Sequence, residues 1–324
     1  MKDKVILTKK IGNEEVKILR NNYDLIIVED EKEDLLDILR KHSDAKALIT
    51  FLSDKIDEEV ISLLKNVKII ANYAVGYNNI NFNLAADSGI YVTNTPDILT
   101  DATADLTMML ILSTARRLIE SDEYMRNGKF KGWGANLFLG KGLRGKKLGI
   151  IGLGKIGFAT ALRAKSFGME IIYNSRTRKI DIEKKYDLSY LDFDNIISKS
   201  DIISPHIPFT PDLHYLFNAE VFGRMKKGSI FINVSRGGLM DESALADSLE
   251  NGHLFGAGLD VFEHEPKVEK RLTMLKNVVM TPHTGSATFE ARSGMGKMVI
   301  KNIELALAGK FPQNLIPEMQ SVIK

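Results

Sequence analysis

Three residues in the last third of the chain carry the side chains that a proton-coupled reduction needs: a guanidinium on Arg236, a carboxylate on Glu265 and an imidazole on His283. Each stands just beyond a short apolar run. Arg236 follows Phe231-Ile-Asn-Val-Ser235 and precedes Gly237 and Gly238, Glu265 follows Gly258-Leu-Asp-Val-Phe-Glu-His264, and His283 lies in Thr281-Pro-His-Thr-Gly-Ser-Ala-Thr288. Such runs read as strands of a parallel sheet, and ligands of these sheets bind beyond the strands' carboxyl ends. An arginine fork there can clamp a carboxylate beside a carbonyl that is becoming an alcohol. A histidine can give that oxygen its proton, and a neighbouring carboxylate orients the ring and favours its charged form. The chemistry that fits is reduction of a small 2-oxo acid, with Arg236, Glu265 and His283 catalytic and both Arg236 and His283 touching substrate. Taken singly, each has a plainer reading: a surface arginine, a histidine satisfied inside the fold, a glutamate exposed before Pro266. Glu263, His264 and Glu265 are consecutive, which rarely lets side chains converge on a metal, and no H-E-x-x-H pattern occurs, so no metal is expected.

A second constellation names the partner of that chemistry. Leu148-Gly-Ile-Ile-Gly-Leu-Gly-Lys-Ile-Gly157 sets Gly152, Gly154 and Gly157 in G-x-G-x-x-G spacing, after an apolar strand and before the helical stretch Phe158–Phe167. In that context the first glycine permits a tight turn, the second lets backbone approach a pyrophosphate, and the third lets helix and strand pack closely. Gly152, Leu153, Gly154, Lys155, Ile156 and Gly157 are therefore candidate cofactor residues; an ordinary glycine-rich turn is the alternative. The next strand ends at Tyr173 without the acid that would bind a ribose 2′-hydroxyl. Asn174-Ser-Arg-Thr-Arg178 follows, and Ser175, Arg176, Thr177 and Arg178 suit a 2′-phosphate. NADPH is the expected cofactor, with NADH possible, unless the arginines are only a solvated loop. His206 and Pro208, in Ser204-Pro-His-Ile-Pro208, end a further strand and border the same cofactor.

These groups need a scaffold of alternating strands and helices. The first third offers strands at Val5–Leu7, Leu25–Val28, Ala47–Phe51, Lys68–Ala71 and Tyr91–Thr93, separated by charged helical stretches such as Glu31–Lys41. Pro96 and Asp97 break the pattern, and a long apolar segment from Ala102 to Ile119 reads as one buried helix capped by Thr100 or Asp101. Gly128 to Gly145, with Trp133 and Phe138 among its glycines, reads as an extended arm. A second series of six strands starts at Lys147 and continues at Met169–Tyr173, Asp201–Ile207, Ser229–Val234, Ala257–Val261 and Val278–Thr281, before a closing helix from about Phe289 to Leu307. Six strands fit two mononucleotide-binding halves.

Composition narrows the field. At 324 residues two domains are the natural expectation. The 44 Lys and Arg nearly balance 42 Asp and Glu, with no long block of one sign, which argues against nucleic-acid or membrane partners. No cysteine is present, which excludes disulfides, iron–sulfur clusters and thiolate chemistry. Neither a signal-peptide core nor a run of membrane-spanning length appears, so a cytoplasmic protein is expected.

The chain resembles the D-isomer-specific 2-hydroxyacid dehydrogenase family, and within it the glyoxylate/hydroxypyruvate reductases. The likeness runs from about Ala47 to Asn314 through Asn72-Tyr-Ala-Val-Gly-Tyr77, Val92-Thr-Asn-Thr-Pro-Asp97, Thr100-Asp-Ala-Thr-Ala-Asp105, the glycine motif, Asn233-Val-Ser-Arg-Gly237, Gly256-Ala-Gly-Leu-Asp-Val-Phe262 and Thr281-Pro-His283. The resemblance implies an α/β protein of two open parallel-sheet domains. One is a Rossmann dinucleotide-binding domain over 99–288, the other a smaller, discontinuous, flavodoxin-like substrate domain over 1–98 and 289–324. It implies that Arg236, Glu265 and His283 act together and that Val234, Ser235 and Asp260 hold the nicotinamide carboxamide. Thr103 and Gly285 join the cofactor residues, and Leu52, Ser53, Val75 and Gly76 frame the substrate. It also implies a homodimer formed through the long helix and the arm, from which an aromatic residue, Trp133 or Phe138, enters the partner's site. Related readings on the same scaffold are a dehydrogenase of pyruvate, a longer 2-keto acid or a phosphorylated substrate, and a dinucleotide-sensing corepressor. No regulatory domain is expected after residue 324.

Overall fold

The computed structural model describes residues 2–28 and 33–322, and the chain divides into two compact units, Met1–Leu99 with Ser286–Lys324, and Thr100–Gly285. In the first unit, strands β1 (Lys4–Leu7), β2 (Asp24–Ile27), β3 (Ala47–Thr50), β4 (Ile69–Asn72) and β5 (Tyr91–Thr93) form a sheet of order β2-β1-β3-β4-β5. Every pairing is parallel, and the order is that of flavodoxin-type sheets. Strands β3 and β4 are buried along their whole length, as strands covered on both faces must be. The closing helix spans Phe289–Leu307, where Thr288 caps it by accepting the amide of Ala291 at 3.1 Å. The expected Glu31–Lys41 stretch begins as a helix only at Leu35, after the Asp34 side chain accepts the Leu36 amide at 3.0 Å; residues 31 and 32 lie outside the described residues.

The second unit carries β6 (Lys147–Ile151), β7 (Glu170–Asn174), β8 (Ser189–Tyr190), β9 (Ile202–Pro205), β10 (Ile230–Asn233), β11 (Gly256–Leu259) and β12 (Val278–Met280). They pair in parallel in the order β12-β11-β10-β9-β6-β7-β8, which extends the dinucleotide-binding arrangement by one strand. The unforeseen strand is β8, two residues at the sheet edge with no apolar run to announce it. Alternation along the strands sends Ile150, Ile230 and Ile232 into one core and Ile151, Phe231 and Leu259 into another, so both faces of the sheet are covered.

Three helix boundaries differ from expectation. The apolar run to Ile119 ends as a helix at Ala115, and a separate helix covers Leu118–Arg126. Between them Arg117 is left-handed, with φ at 52°, and its guanidinium grips Glu120 at 3.0 and 2.8 Å. Thr100 and Asp101 lie in the first turn instead of before it. The helix after the glycine motif spans Lys155–Ser166 and thus starts inside the motif. Residues 128–145 contain no helix or strand. No helix among the described residues is long and apolar enough to cross a membrane.

Candidate active site

Strands β10, β11 and β12 lie side by side, so their carboxyl ends deliver three loops to one place. At β10, the buried Asn233 side chain donates to the carbonyl of Arg236 at 2.9 Å and accepts the amide of Ser235 at 3.0 Å, folding the turn that presents Arg236. Ser235 also donates its hydroxyl to the Ile207 carbonyl, fastening this turn to the loop after β9. Just past β11, Asp260 is 1% exposed and acts as an anchor. Its carboxylate accepts the Thr281 hydroxyl at 2.6 Å and the amides of Thr284 at 2.7 Å and Gly285 at 2.8 Å. Its carbonyl accepts the His283 amide at 2.9 Å. Gripped on both sides, His283 is held at φ 53°, a left-handed conformation that costs a non-glycine residue about 1 kcal/mol.

The result is an imidazole aimed at a carboxylate. His283 Nδ1 lies 2.9 and 3.1 Å from the two carboxyl oxygens of Glu265, and the Phe262 amide donates to the same carboxylate at 3.0 Å. Burial pushes the Glu265 carboxyl up, but the bond to His283, the His283 charge, the Phe262 amide and the Arg236 charge outweigh it and hold the group below its ordinary value. Burial pushes the Arg236 guanidinium down, and the Glu265 charge opposes that. All three groups therefore feel one another. With Nδ1 committed to Glu265, Nε2 is the ring nitrogen left for a reacting oxygen.

Two residues not foreseen as site residues lock the loops. Glu242, 9% exposed, accepts the Glu263 amide at 2.7 Å and the Glu269 amide at 3.0 Å, bracketing the segment that carries Glu265. Gly237 lies so close to that segment that a Cβ there would fall 1.9 Å from the carbonyl carbon of Phe262 and 2.2 Å from the Glu263 nitrogen. The Arg236 turn and the Glu265 loop thus touch backbone to backbone. Gly237→Ala is expected to lower kcat about thirtyfold or more, since displacements near 1 Å cost ~10²-fold, while dinucleotide affinity measured by NADPH fluorescence is unchanged. Wild-type kcat in that variant would show that the two loops move independently. Neither residue announces itself in sequence: Glu242 reads as a helix-start acid and Gly237 as a turn glycine.

The glycine motif forms a turn suited to a dinucleotide. Gly152 has φ 98°, and a Cβ on it would meet the His206 carbonyl oxygen at 2.6 Å. A Cβ on Gly157 would lie 2.2 Å from the Gly152 oxygen, so the helix start presses on the turn. Around Gly154, by contrast, nothing lies within 4 Å of a Cβ, which leaves backbone at the helix N-terminus open to a phosphate. Leu153 turns into the core, Lys155 opens the helix exposed, and Ile156 is half-buried behind it. His206 backs the turn; its ring, 3.0 Å from the Ser204 hydroxyl, is pushed down to about 4 by burial and so is neutral at physiological pH. Pro208 is exposed just beyond, Val234 is buried, and the Thr103 hydroxyl donates to the Gly285 carbonyl at 3.2 Å.

The two guanidiniums after β7, both expected to suit a phosphate, differ in their surroundings. Arg178 is bound by both oxygens of Glu183 at 2.8 Å and holds that carboxyl down to about 2, while its guanidinium lies 5.5 Å over the Tyr190 ring. Arg176 and Thr177 are exposed, and Ser175 donates its hydroxyl to the Thr177 carbonyl at 2.7 Å. Phe138 packs edge-on against Tyr124 of its own chain, 5.3 Å between centroids, whereas Trp133 is 87% exposed. In the other unit, Leu52, Ser53, Val75 and Gly76 follow β3 and β4. There the Ser53 hydroxyl accepts from Lys9 at 2.6 Å, and side-chain amides of Asn94 and Asn72 hold the carbonyls of Val75 at 2.8 Å and Gly76 at 2.7 Å.

A parallel sheet of this order, a glycine turn open at a helix N-terminus and an acid–base pair beyond adjacent strands define a dinucleotide-dependent oxidoreductase. Comparison with known proteins agrees. Residues 108–285 match the family pattern described as the D-isomer specific 2-hydroxyacid dehydrogenase NAD binding domain. The glyoxylate reductase of Thermococcus litoralis is 46% identical over 98% of this chain and 97% of its own. A putative D-isomer specific 2-hydroxyacid dehydrogenase from a Polaromonas species superposes with a TM-score of 0.91 at 37% identity, covering 98% of this chain and 100% of its own. The NADPH-dependent glyoxylate/hydroxypyruvate reductase of Sinorhizobium meliloti, solved with NADP and malonate, gives 0.86 at 29% identity over 98% of each chain. The chain belongs to the D-isomer specific 2-hydroxyacid dehydrogenase family. It is a nicotinamide-dinucleotide-dependent dehydrogenase working between a small 2-oxo acid and its 2-hydroxy acid.

Proposed function

We propose that this enzyme reduces glyoxylate or hydroxypyruvate with NADPH, using Arg236, Glu265 and His283 as its catalytic residues. The observation that carries the reading is the His283–Glu265 pair at 2.9 Å beside the Arg236 charge. Bound at the Gly152–Gly157 turn, with Thr103, Val234, Ser235, Asp260 and Gly285 beyond it, the reduced nicotinamide supplies a hydride. Arg236 clamps the substrate carboxylate and so fixes C2 and its oxygen. Glu265 balances the charge of the protonated ring; His283 gives its Nε2 proton to that oxygen as C2 is reduced, and solvent then reprotonates the neutral ring. Each turnover consumes one hydride and one proton. The choice of substrate is supported by the relatives described as glyoxylate reductases. Leu52, Ser53, Val75 and Gly76 are proposed as substrate residues on the family pattern. A cytoplasmic homodimer is proposed from the same likeness, and Leu118, Ile119, Phe130, Trp133 and Leu139, each at least half-exposed, supply apolar surface for it.

Preference for NADPH is assigned to Arg176, with the Ser175 and Thr177 hydroxyls. No acid stands directly at the end of β7 to repel a 2′-phosphate, and Arg178 pairs with Glu183. A matrix of NADPH and NADH against glyoxylate, hydroxypyruvate and pyruvate tests both parts. The expected result is higher kcat/KM with NADPH than with NADH on glyoxylate and hydroxypyruvate, and loss of about tenfold or more of that cofactor preference in Arg176→Asp. Equal use of both cofactors by wild type and variant would remove the assignment.

A further inference from the structure

At the end of the Thr100–Gly285 sheet opposite the glycine turn, the residues leading into β6, β9 and β10 line a cavity of about 180 Å³. Lys141, Lys146, Lys226 and Lys227 line it together with Asp201 and Ser229, so four lysines share a lining that holds one carboxylate. That carboxylate is already used: Asp201 holds Lys226 at 2.6 Å and accepts the Lys147 amide at 2.9 Å. The Lys141 ammonium lies 4.9 Å over the Phe255 ring, and Lys146 and Lys227 have no ion-pair partner among the described residues. Ser229 is 3% exposed, yet its hydroxyl finds no hydrogen-bond partner among the described residues. A buried hydroxyl left in that state is unfavourable, and excess lysine charge around it adds self-repulsion. A tetrahedral oxyanion answers both, accepting from the hydroxyl and offsetting the lysines. The cavity is smaller than the roughly 300–1,000 Å³ pockets that enclose drug-sized ligands, which excludes a second dinucleotide.

We propose that this cavity is an oxyanion site, separate from the reacting centre, that takes inorganic phosphate or the phosphoryl group of a small metabolite. The test melts the holoenzyme, saturated with dinucleotide so that the cofactor's own phosphate positions are filled, across a phosphate series held at constant ionic strength with chloride. A saturable rise in Tm is expected, with the unfolding constant lowered about elevenfold at ten times Kd. Lys227→Gln and Ser229→Ala should each weaken that phosphate affinity about tenfold, while kcat and KM without phosphate stay as in the wild type. A rise shared equally by phosphate and chloride, or one of undiminished affinity in both variants, overturns the proposal. Glycerol phosphate run in parallel separates the sources. Tighter binding of the monoester identifies a metabolite's phosphoryl group, tighter binding of the ion identifies inorganic phosphate, and either carries the proposal.

Discussion

His283→Asn is expected to lower the turnover number for 2-oxo acid reduction about a thousandfold while leaving dinucleotide affinity unchanged, within the ~10²–10⁴-fold range for loss of a positioned general acid. Asparagine is the informative replacement. It tolerates the left-handed backbone at φ 53° and its amide can still donate to Glu265, so fold and hydrogen bond survive while the transferable proton is lost. A variant keeping more than a tenth of wild-type turnover, with chemistry limiting, would remove His283 as the donor. Because reduction consumes a proton, the wild-type rate should fall on the alkaline side, and oxidation of the 2-hydroxy acid should show the opposite trend. On the acid side the sign follows from Glu265. Its folded value is depressed, so the His283–Glu265 pair is intact above the ordinary carboxyl value of 4.5 and is lost only as pH falls through the lower folded value. Reduction should therefore show no acid limb from Glu265 between neutrality and pH 4.5, and a limb near 5 to 6 that vanishes in Glu265→Gln would contradict the depressed value.

The strands and the glycine turn were legible because each rests on local pattern. Val and Ile runs fix buried parallel strands, and in the glycine spacing Gly152 and Gly157 answer close contacts visible in the fold while Gly154 leaves its backbone open. What stayed hidden depends on non-local contact. Strand β8 exists because Ser189 and Tyr190 reach β7, not because two residues carry a periodicity. The break at Arg117 is set by its grip on Glu120 within an otherwise continuous apolar run. At the site, the residue types of Arg236, Glu265 and His283 suggested chemistry, but three loops meet only through strand order. The supports of those loops, Asn233, Glu242 and Gly237, act through backbone atoms whose partners are up to tens of residues away. The fate of Arg178 was equally opaque, since arginine serves a phosphate or a glutamate with the same fork and only Glu183's position decides.

Arg236→Ala is expected to lower kcat/KM for glyoxylate about a thousandfold, chiefly through KM. Removing one partner of a buried, hydrogen-bonded charge pair costs roughly 2–5 kcal/mol, and a thousandfold corresponds to about 4. Its guanidinium is worth this much because it is already partly desolvated in the free enzyme. Burial pushes it down and the Glu265 charge opposes that, so a substrate carboxylate meets a cation already partly withdrawn from water. The turn that presents it is held by Asn233 and by the Arg236 carbonyl, backbone features that alanine keeps, so the loss reports on the side chain. Arg236→Lys retains the charge without the planar fork and should recover only part of the activity. The discriminating readout is selectivity: wild type should favour glyoxylate strongly over an uncharged aldehyde of similar size, and Arg236→Ala should erase most of that ratio by losing glyoxylate alone. If both substrates fall equally, the arginine serves the His283–Glu265 pair and not the carboxylate. Added guanidinium restoring glyoxylate reduction in the alanine variant would separate the two roles again, because the rescued ratio would rise toward the wild-type value only if the fork binds substrate.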